Sequence, residues 1–346
     1  MQQKELARIL GVSTATISMA LRGKGRISPN IREKILAVAF KHRVGVRRMR
    51  QPDAEPPPKT PTLRIAYCGL GEQRGWFHSG TFRGLSAPVG VARHEILLQV
   101  GETPYGADRA AAAQRIKASV LAMENLDALV IDPSRWLVDA LLDVPLPKVM
   151  VGYFNHAPGR IDAVVPDNTD GAYRLTRRLI ESGARRIACV QCIAGDWNSR
   201  EKLAGYKLAL EHAGLEFDPR LVFDGNFSLH CGARLARKLV ELPEPADAVF
   251  VGNDWLSGSF VRELKDIDRE TGASWSRLPL AHFGDSMLDP EVCFAHDRVE
   301  LATDVMGRQA IRLLLDRISG LGPEEPVTVK VQATFRAGGV FTPEHH

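Results

Sequence analysis

Beyond Thr62 the sequence alternates between short apolar runs and longer amphipathic stretches, and this alternation constrains the fold more than any other feature. Seven runs are typical of buried strands: 63–68, 95–100, 127–131, 148–151, 186–191, 246–251 and 280–283. Strands that alternate with helices form parallel sheets, because each helix returns the chain to the same edge. The pattern covers about 270 residues, more than one open sheet usually needs, so we predict a two-lobed α/β domain with parallel sheets.

The first fifty residues have a different pattern, which predicts short helices. A helix is expected over 3–10, where apolar residues recur at helical spacing: Leu6, Ile9 and Leu10. Gly11 ends this helix in a tight turn, and Ser13 is a good N-cap for a second helix over 14–21. Ser28 and Pro29 open a third helix, since proline is favoured at a first helical position. The sequence thus predicts an all-α helix-turn-helix head before the α/β domain.

Charge separates the two parts of the chain. Residues 1–50 contain twelve Lys or Arg and two Glu, a net charge of +10, whereas the whole chain has a net charge of only +4. The rest of the chain therefore sums to −6. A basic head on a mildly acidic body is the distribution expected when only the head binds a polyanion such as DNA.

A basic, proline-rich segment marks the boundary between the parts. It contains Pro52, Pro56, Pro57, Pro58 and Pro61, which favour an extended spacer. We therefore expect a head over 1–46, a linker over 47–62 and a large domain over 63–340. Within the large domain we expect lobe 1 over about 63–164 and 298–320, and lobe 2 over about 165–297 and 326–340.

The head resembles the LacI/GalR family of bacterial regulators in the pattern AxxLGVSxxTIxxALRGxGRISPxxREKIxAVA, which begins at Ala7. The resemblance implies that the second helix enters the major groove of DNA. It places base contacts at Thr14, Ala15 and Met19 and a phosphate contact at Thr16. The helical period puts Arg22 on the same exposed side, and Ser13, which caps this helix, is also expected to contact DNA.

The segment after the head departs from the family pattern. Where the family has a hinge helix with a leucine wedge, this chain has Val44-Gly45-Val46-Arg47-Arg48-Met49-Arg50. Our hypothesis is that Arg47, Arg48 and Arg50 form an arm over the minor groove, with Met49 as the wedge.

The large domain resembles the same family along its length, in blocks such as Val164-Val-Pro-Asp-Asn-Thr-Asp-Gly and Asp247-Ala-Val-Phe-Val-Gly-Asn-Asp. The resemblance implies the fold of periplasmic sugar-binding proteins, with a small-molecule effector between the lobes. Strand-following loops are where open α/β sheets bind ligands, and a saccharide needs polar groups and an aromatic wall. The expected effector residues are Trp76, Phe77, Trp197, Arg200, Phe227, Asn253, Trp255 and Asp285. Each of them could instead be a capping or core residue.

Rival chemistries have weaker support. Gly69-Leu-Gly71 lacks the third glycine of a dinucleotide fingerprint, and Cys189-x-x-Cys192 lies in a predicted strand, where buried thiols are the expectation. Gly284-Asp-Ser286 resembles the nucleophile block of an esterase family, but not at the position where that block belongs. We therefore expect no enzyme activity, no cofactor and no metal site.

The sequence as a whole predicts a cytoplasmic homodimer that binds double-stranded DNA and a small-molecule effector, expected to be a saccharide. No apolar run approaches the ~20 residues of a membrane helix, so no membrane partner is expected. The expected function is that of a DNA-binding transcriptional repressor whose operator affinity is controlled by the effector. The alternatives are a small-molecule-binding protein with weak or non-specific DNA binding and, with less support, a hydrolase.

Overall fold

The computed structural model describes residues 3–21, 27–28, 31, 34–35, 62–70, 76–89, 93–100, 108–152, 159–193, 195–226, 230–284, 292 and 295–339. The chain forms two compact units, Met1–Thr60 and Pro61–His346.

The first unit contains the two predicted helices of the head. They are α1 (Gln3–Leu10) and α2 (Thr14–Leu21), with Gly11 at a φ of +62° in the turn between them. Leu6, Ala7 and Ile17 are buried in the small core, but Ile9 is 61% exposed. The predicted apolar stripe of α1 was therefore wrong at Ile9, and Ala7 is buried instead.

The second unit contains twelve strands and eight helices among its described residues. In chain order they are β1 (Thr62–Gly69), α3 (Trp76–Leu85), β2 (Arg93–Val100), α4 (Arg109–Leu121), β3 (Ala128–Ile131), α5 (Arg135–Leu141), β4 (Lys148–Val151), β5 (Asp162–Pro166), α6 (Asn168–Glu181), β6 (Ile187–Val190), α7 (Trp197–His212), β7 (Val222–Phe223), α8 (Cys231–Val240), β8 (Ala248–Val251), α9 (Asp254–Thr271), β9 (Leu280–Phe283), β10 (Asp297–Glu300), α10 (Thr303–Ile318), β11 (Thr328–Val331) and β12 (Thr334–Arg336). All seven predicted strands are present.

These strands form two six-stranded sheets, one in each lobe. The order in lobe 1 is β11-β5-β4-β3-β1-β2, and the order in lobe 2 is β12-β10-β9-β8-β6-β7. Every pairing is parallel except that of β10 with β12, which is antiparallel. The two-lobed parallel architecture is confirmed, with an antiparallel edge strand that the sequence pattern did not predict.

The strand pairings correct the predicted lobe boundaries. β10 pairs with β9 and therefore belongs to lobe 2, although 298–320 was assigned to lobe 1. β11 pairs with β5 and belongs to lobe 1, although 326–340 was assigned to lobe 2. The chain crosses between the lobes at Asp167, at Leu301-Ala302 and at Gln332-Ala333.

Helices cover both faces of each sheet. In lobe 1 the apolar cluster beneath α4 and α5 includes Leu129, Ile131 and Leu137, and in lobe 2 the cluster beneath α8 and α9 includes Val249 and Phe260. The remaining faces share one cluster, which includes side chains of both lobes. The lobes are therefore joined by a common apolar core at their crossings.

Several helix pairs pack backbone against backbone at a glycine. On α7, a Cβ at Gly205 would lie 2.2 Å from the Thr169 carbonyl oxygen and 2.9 Å from the Tyr173 amide nitrogen of α6. Backbone atoms of a packed helix cannot move aside as the end of a flexible side chain can.

We predict that Gly205→Ala lowers the free energy of unfolding by about 1–3 kcal/mol or more, because overpacking forces the α6 and α7 backbones apart. Urea unfolding followed by circular dichroism measures this change. Gly339→Ala is the matched control, since a Cβ at Gly339 meets no atom within 4 Å. Equal stability of the two variants would contradict the packing argument.

Candidate functional site

The head presents one helix on a compact base. The Ser13 hydroxyl accepts a hydrogen bond from the Thr16 amide at 3.0 Å and so caps the N-terminus of α2. The Val12 amide donates to the Ala7 carbonyl at 3.1 Å, which fixes the turn between the helices. Ile17 and Ala20 anchor the inner face of α2 in the core.

The outer face of α2 contains most of the predicted DNA-contacting residues. Ser13, Thr14 and Ala15 are exposed, and Met19 is 40% exposed. The Thr16 side chain is half-buried, and its hydroxyl lies 2.8 Å from the Ser13 hydroxyl. Arg22, Arg47, Arg48, Met49 and Arg50 lie outside the described residues.

The candidate ligand site of the second unit lies where the strand order of each sheet reverses. In lobe 1 the chain turns from β1 outward to β2 and then inward to β3, and in lobe 2 the same reversal occurs at β6 and β8. Open α/β sheets bind ligands at the carboxyl ends of the strands at such switch points.

The carboxyl edges of the two sheets face each other. Trp197, the first residue of the helix α7 that follows β6 of lobe 2, packs against the apolar cluster of lobe 1 that contains Ile131 and Leu137. A second contact between the lobes joins Lys330 of β11 to Glu201 of α7 in a salt bridge of 2.7 Å. The two switch points therefore lie on opposite sides of this interlobe contact, where a ligand cleft is expected.

On the lobe 2 side, polar groups cluster at the end of β8. The Asn253 side-chain oxygen caps α9, accepting from the amides of Trp255 at 2.7 Å and Leu256 at 3.3 Å. This leaves the amide nitrogen of Asn253 as the group that could bind a ligand. Asp254 is buried, and its carboxylate fills the space beside Gly284, whose φ is +106°. Trp255 is half-buried.

A buried lysine lies next to these polar groups. The Lys202 ammonium donates to the Gly252 carbonyl at 2.7 Å and lies 4.4 Å from the centre of the Phe283 ring. The Cys192 thiol donates to the same carbonyl at 3.1 Å. The sequence pattern predicted that Cys192 lies in a strand, but it follows the end of β6 at Val190. Burial raises the pKa of the Cys192 thiol to about 11, so the thiolate needed for redox chemistry is disfavoured.

On the lobe 1 side, the main polar group is one that sequence reasoning missed. Asp132 follows β3 directly and is only 4% exposed, and its carboxyl accepts a hydrogen bond from the Tyr67 hydroxyl. Burial raises the pKa of Asp132 from 3.8 to about 7, while the bond from Tyr67 acts in the opposite direction. Its position directly after the apolar run Ala128–Ile131 was the signal that could have found it.

Another polar group lies where the chain enters lobe 2. Asn168, the first residue of α6, is 1% exposed and donates from its amide nitrogen to the Asn198 side-chain oxygen at 3.1 Å. Its own side-chain oxygen has no hydrogen-bond partner among the residues that the structure describes. This buried oxygen is therefore a candidate acceptor for a ligand hydroxyl.

The remaining predicted effector residues are placed as follows. Arg200 is exposed, and its guanidinium lies 5.6 Å from the centre of the Trp197 ring. Trp76 and Phe77 begin α3 after β1, but only their backbone is described. Phe227 and Asp285 lie outside the described residues. The structure thus brings Trp197, Arg200, Asn253 and Trp255 to the carboxyl edge of the lobe 2 sheet.

Two negative findings concern the described residues only. No group of three or more His, Cys, Asp or Glu among them could hold a metal ion. No helix in the same part of the chain is long and apolar enough to cross a membrane.

Comparisons with known proteins agree with this architecture. Residues 3–43 match the profile of bacterial regulatory proteins of the lacI family. Residues 91–335 match the profile of periplasmic binding proteins and the sugar-binding domain of the LacI family. This chain belongs to the LacI family of bacterial regulatory proteins.

Similar proteins are named as regulators. The HTH-type transcriptional regulator CelR of Thermobifida fusca is 28% identical over 339 residues, which cover 94% of each chain. The HTH-type transcriptional repressor CytR of Escherichia coli K12 is 27% identical over 327 residues, which cover 92% of this chain and 89% of CytR.

Solved structures share the fold. A transcriptional regulator CelR-cellobiose complex has a TM-score of 0.64 at 24% identity and covers 97% of this chain and 98% of its own. The transcription regulator CcpA of Lactococcus lactis has a TM-score of 0.65 at 21% identity and covers 80% of this chain and 98% of its own.

The raised pKa of Asp132 predicts a pH-dependent stability. The unfolded chain ionises Asp132 near pH 3.8, whereas the folded chain keeps the proton up to about pH 7. Between these values the folded state binds more protons, so its stability falls as the pH rises. Relative to Asp132→Asn, we expect wild-type stability to fall by about 1 kcal/mol per pH unit across this window.

Urea unfolding at a series of pH values measures the difference. Tyr67→Phe removes the hydrogen bond that favours the carboxylate, and should extend the window above pH 7. A stability difference between wild type and Asp132→Asn that is constant from pH 4 to pH 8 would show that Asp132 is not the buried acid described.

Proposed function

We propose that this chain is a transcriptional repressor that reads operator DNA with α2 and releases or binds it according to a small molecule in the interlobe cleft. The observation that carries the proposal is the α2 face itself. Ser13 caps the helix, Ile17 anchors it, and the opposite face exposes Thr14, Ala15 and Met19. A capped helix with an exposed face, on a head of net charge +10, fits the major groove of DNA between the phosphate backbones.

The base contacts proposed for this face are modest in strength. Ala15 and Met19 offer apolar contact to thymine methyl groups. The Thr14 hydroxyl can donate a hydrogen bond to several bases or accept one from them. Basic side chains of the head supply most of the affinity, through phosphate neutralisation. Arg47, Arg48 and Arg50 are proposed to add contacts over the minor groove, with Met49 as a wedge.

We propose a cytoplasmic homodimer as the active form. A helix-turn-helix head reads only a few base pairs, so two heads on half-sites about one helical turn apart are needed for a specific operator. Pairing through the large domains would couple their lobe angle to the spacing of the heads.

The effector is proposed to bind between Asp132 of lobe 1 and the Trp197, Arg200 and Asn253 region of lobe 2. A saccharide suits the mixture of fixed hydrogen-bonding groups and tryptophan rings at this cleft. The relative described with cellobiose supports a sugar as the ligand class. A regulator rather than an enzyme is proposed, since the named relatives are regulators.

The second candidate is a small-molecule-binding protein whose head binds DNA without sequence preference. The departure of residues 44–50 from the family hinge favours it. Footprinting on the promoter of the chain's own gene separates the two functions, because only the repressor protects a defined site.

We predict that Met19→Ala weakens binding to that site by about 1 kcal/mol, roughly fivefold, by removing an apolar base contact. The salt dependence of binding should stay unchanged, because methionine neutralises no phosphate. Fluorescence anisotropy at several salt concentrations measures both quantities.

Ile9→Ala is the matched control, since Ile9 is an exposed apolar side chain of the head that lies outside the predicted DNA-contacting face. Should Ile9→Ala weaken specific binding as much as Met19→Ala, α2 would not be the reading helix. A site bound without any salt dependence would count against the DNA-binding role of the basic head.

A further inference from the structure

Two tryptophans at the cleft edge carry guanidinium groups over their rings. On lobe 1, Trp136 lies in the first turn of α5, just after β3, with the guanidinium carbons of Arg135 and Arg109 at 4.4 and 5.0 Å from its ring centre. On lobe 2, Arg200 lies over Trp197 at 5.6 Å. Trp136 and Trp197 both pack against the apolar cluster of lobe 1.

These stacks change what the tryptophans can offer a ligand. A neutral sugar binds an aromatic side chain by laying its ring on the π face, but guanidinium groups this close already occupy π surface of both rings. The rings are half-buried, whereas Arg109, Arg135 and Arg200 are exposed. The tryptophans therefore hold exposed cations near the strand ends at which the cleft is expected.

Arg135 and Arg200 differ from arginines of the fold that a carboxylate neutralises. Arg317, for comparison, donates two hydrogen bonds of 2.7 Å to the Asp162 carboxylate. Neither Arg135 nor Arg200 forms a salt bridge with any carboxylate in the described part of the chain. A stacked guanidinium keeps its N–H edge available, and that planar fork matches a carboxylate or a phosphate.

The acidic groups at the same edges are engaged by the protein itself. Asp196 accepts from the Ser199 amide at 2.6 Å as the N-cap of α7. Asp132 accepts from Tyr67, and with a pKa of about 7 its neutral form is well populated near neutral pH. Arg135 and Arg200 thus present positive charge at the cleft edges without a carboxylate fork from the described part of the chain.

We propose that the effector is an acidic saccharide whose carboxylate or phosphate group is bound by Arg135 of lobe 1 and Arg200 of lobe 2. The proposal rests on the proposed function, in which this cleft is the effector site. An anion held between arginines of both lobes favours the lobe arrangement that brings both guanidinium groups within reach of it.

Titration calorimetry with the full chain tests the proposal on matched ligands. Cellobiose, its aldonic acid cellobionate, and glucose with glucose 6-phosphate separate the neutral, carboxylate and phosphate cases. We expect at least one acid to bind about tenfold more tightly than its neutral counterpart, and the tighter of the two acids identifies the anionic group.

Variants locate the anion. Arg135→Ala and Arg200→Ala should each weaken binding of the acidic ligand about tenfold and reduce its preference over the neutral one, whereas Arg135→Lys keeps the charge without the fork and should fall between. Arg115→Ala is the control, since Arg115 is exposed on α4, the helix that contains Arg109, and stacks on no described tryptophan. Circular dichroism verifies that each variant is folded.

Two results would overturn the proposal. One is a neutral sugar that binds as tightly as its acid. The other is an acid whose affinity changes no more in Arg135→Ala and Arg200→Ala than in Arg115→Ala. Operator binding is measured in parallel, without ligand and with the neutral sugar. If the neutral sugar shifts specific operator binding, the acidic effector is refuted and the proposed function stands. If there is no specific operator binding without ligand, the proposed function itself is refuted.

Discussion

The structure depends on one constraint, which is that the chain passes between the lobes three times. β5, β10 and β11 each lead across, and the first and third crossings are tied together where the Asp167 amide donates to the Val331 carbonyl at 2.8 Å. An apolar cluster shared by both lobes surrounds these crossings. Such a joint resists separation of the lobes but permits rotation about it, which is the geometry of hinge closure.

Because the joint holds the lobes together on one side, ligand contacts at the carboxyl edges of the sheets can change the angle between the lobes. Trp197 and the Lys330–Glu201 pair show that these edges meet. A ligand that touches both lobes can shift their angle only by its difference in affinity for the open and closed arrangements. The stacked arginines and the buried Asp132 contribute most to that difference in affinity, because their electrostatic interactions strengthen when water is excluded.

Sequence reasoning predicted the central strands because their apolar runs are continuous. It missed β5, β7, β10, β11 and β12. β7, β11 and β12 are short strands at sheet edges. β5 and β10 lie inside their sheets, but the charged or proline residues of DAVVP and DRVE leave no long apolar run. The predicted lobe boundaries were wrong because the pairings of β10 and β11 are long-range contacts, which leave no local pattern in the sequence. Ile9 shows the converse error, an apolar residue at helical spacing that the short α1 leaves exposed.

The candidate site was predictable where a residue directly follows a strand. Trp197 and Asn253 were found by resemblance and position, although the structure shows that Asn253 also caps α9. Asp132, Trp136 and the stacked arginines were not found, because their grouping depends on how α4, α5 and α7 are brought together by two separate sheets.

The most direct test of the account is the distance between the lobes. Spin labels at Ala118→Cys on α4 and Lys238→Cys on α8, both exposed, report the lobe angle by pulsed electron resonance, and the described native cysteines are buried. Because coupling between two ligands is reciprocal, operator DNA alone must shift the interlobe distance distribution, and a bound saccharide must shift it as well. If DNA and saccharide each bind while the distribution stays unchanged, lobe rotation does not link the two sites.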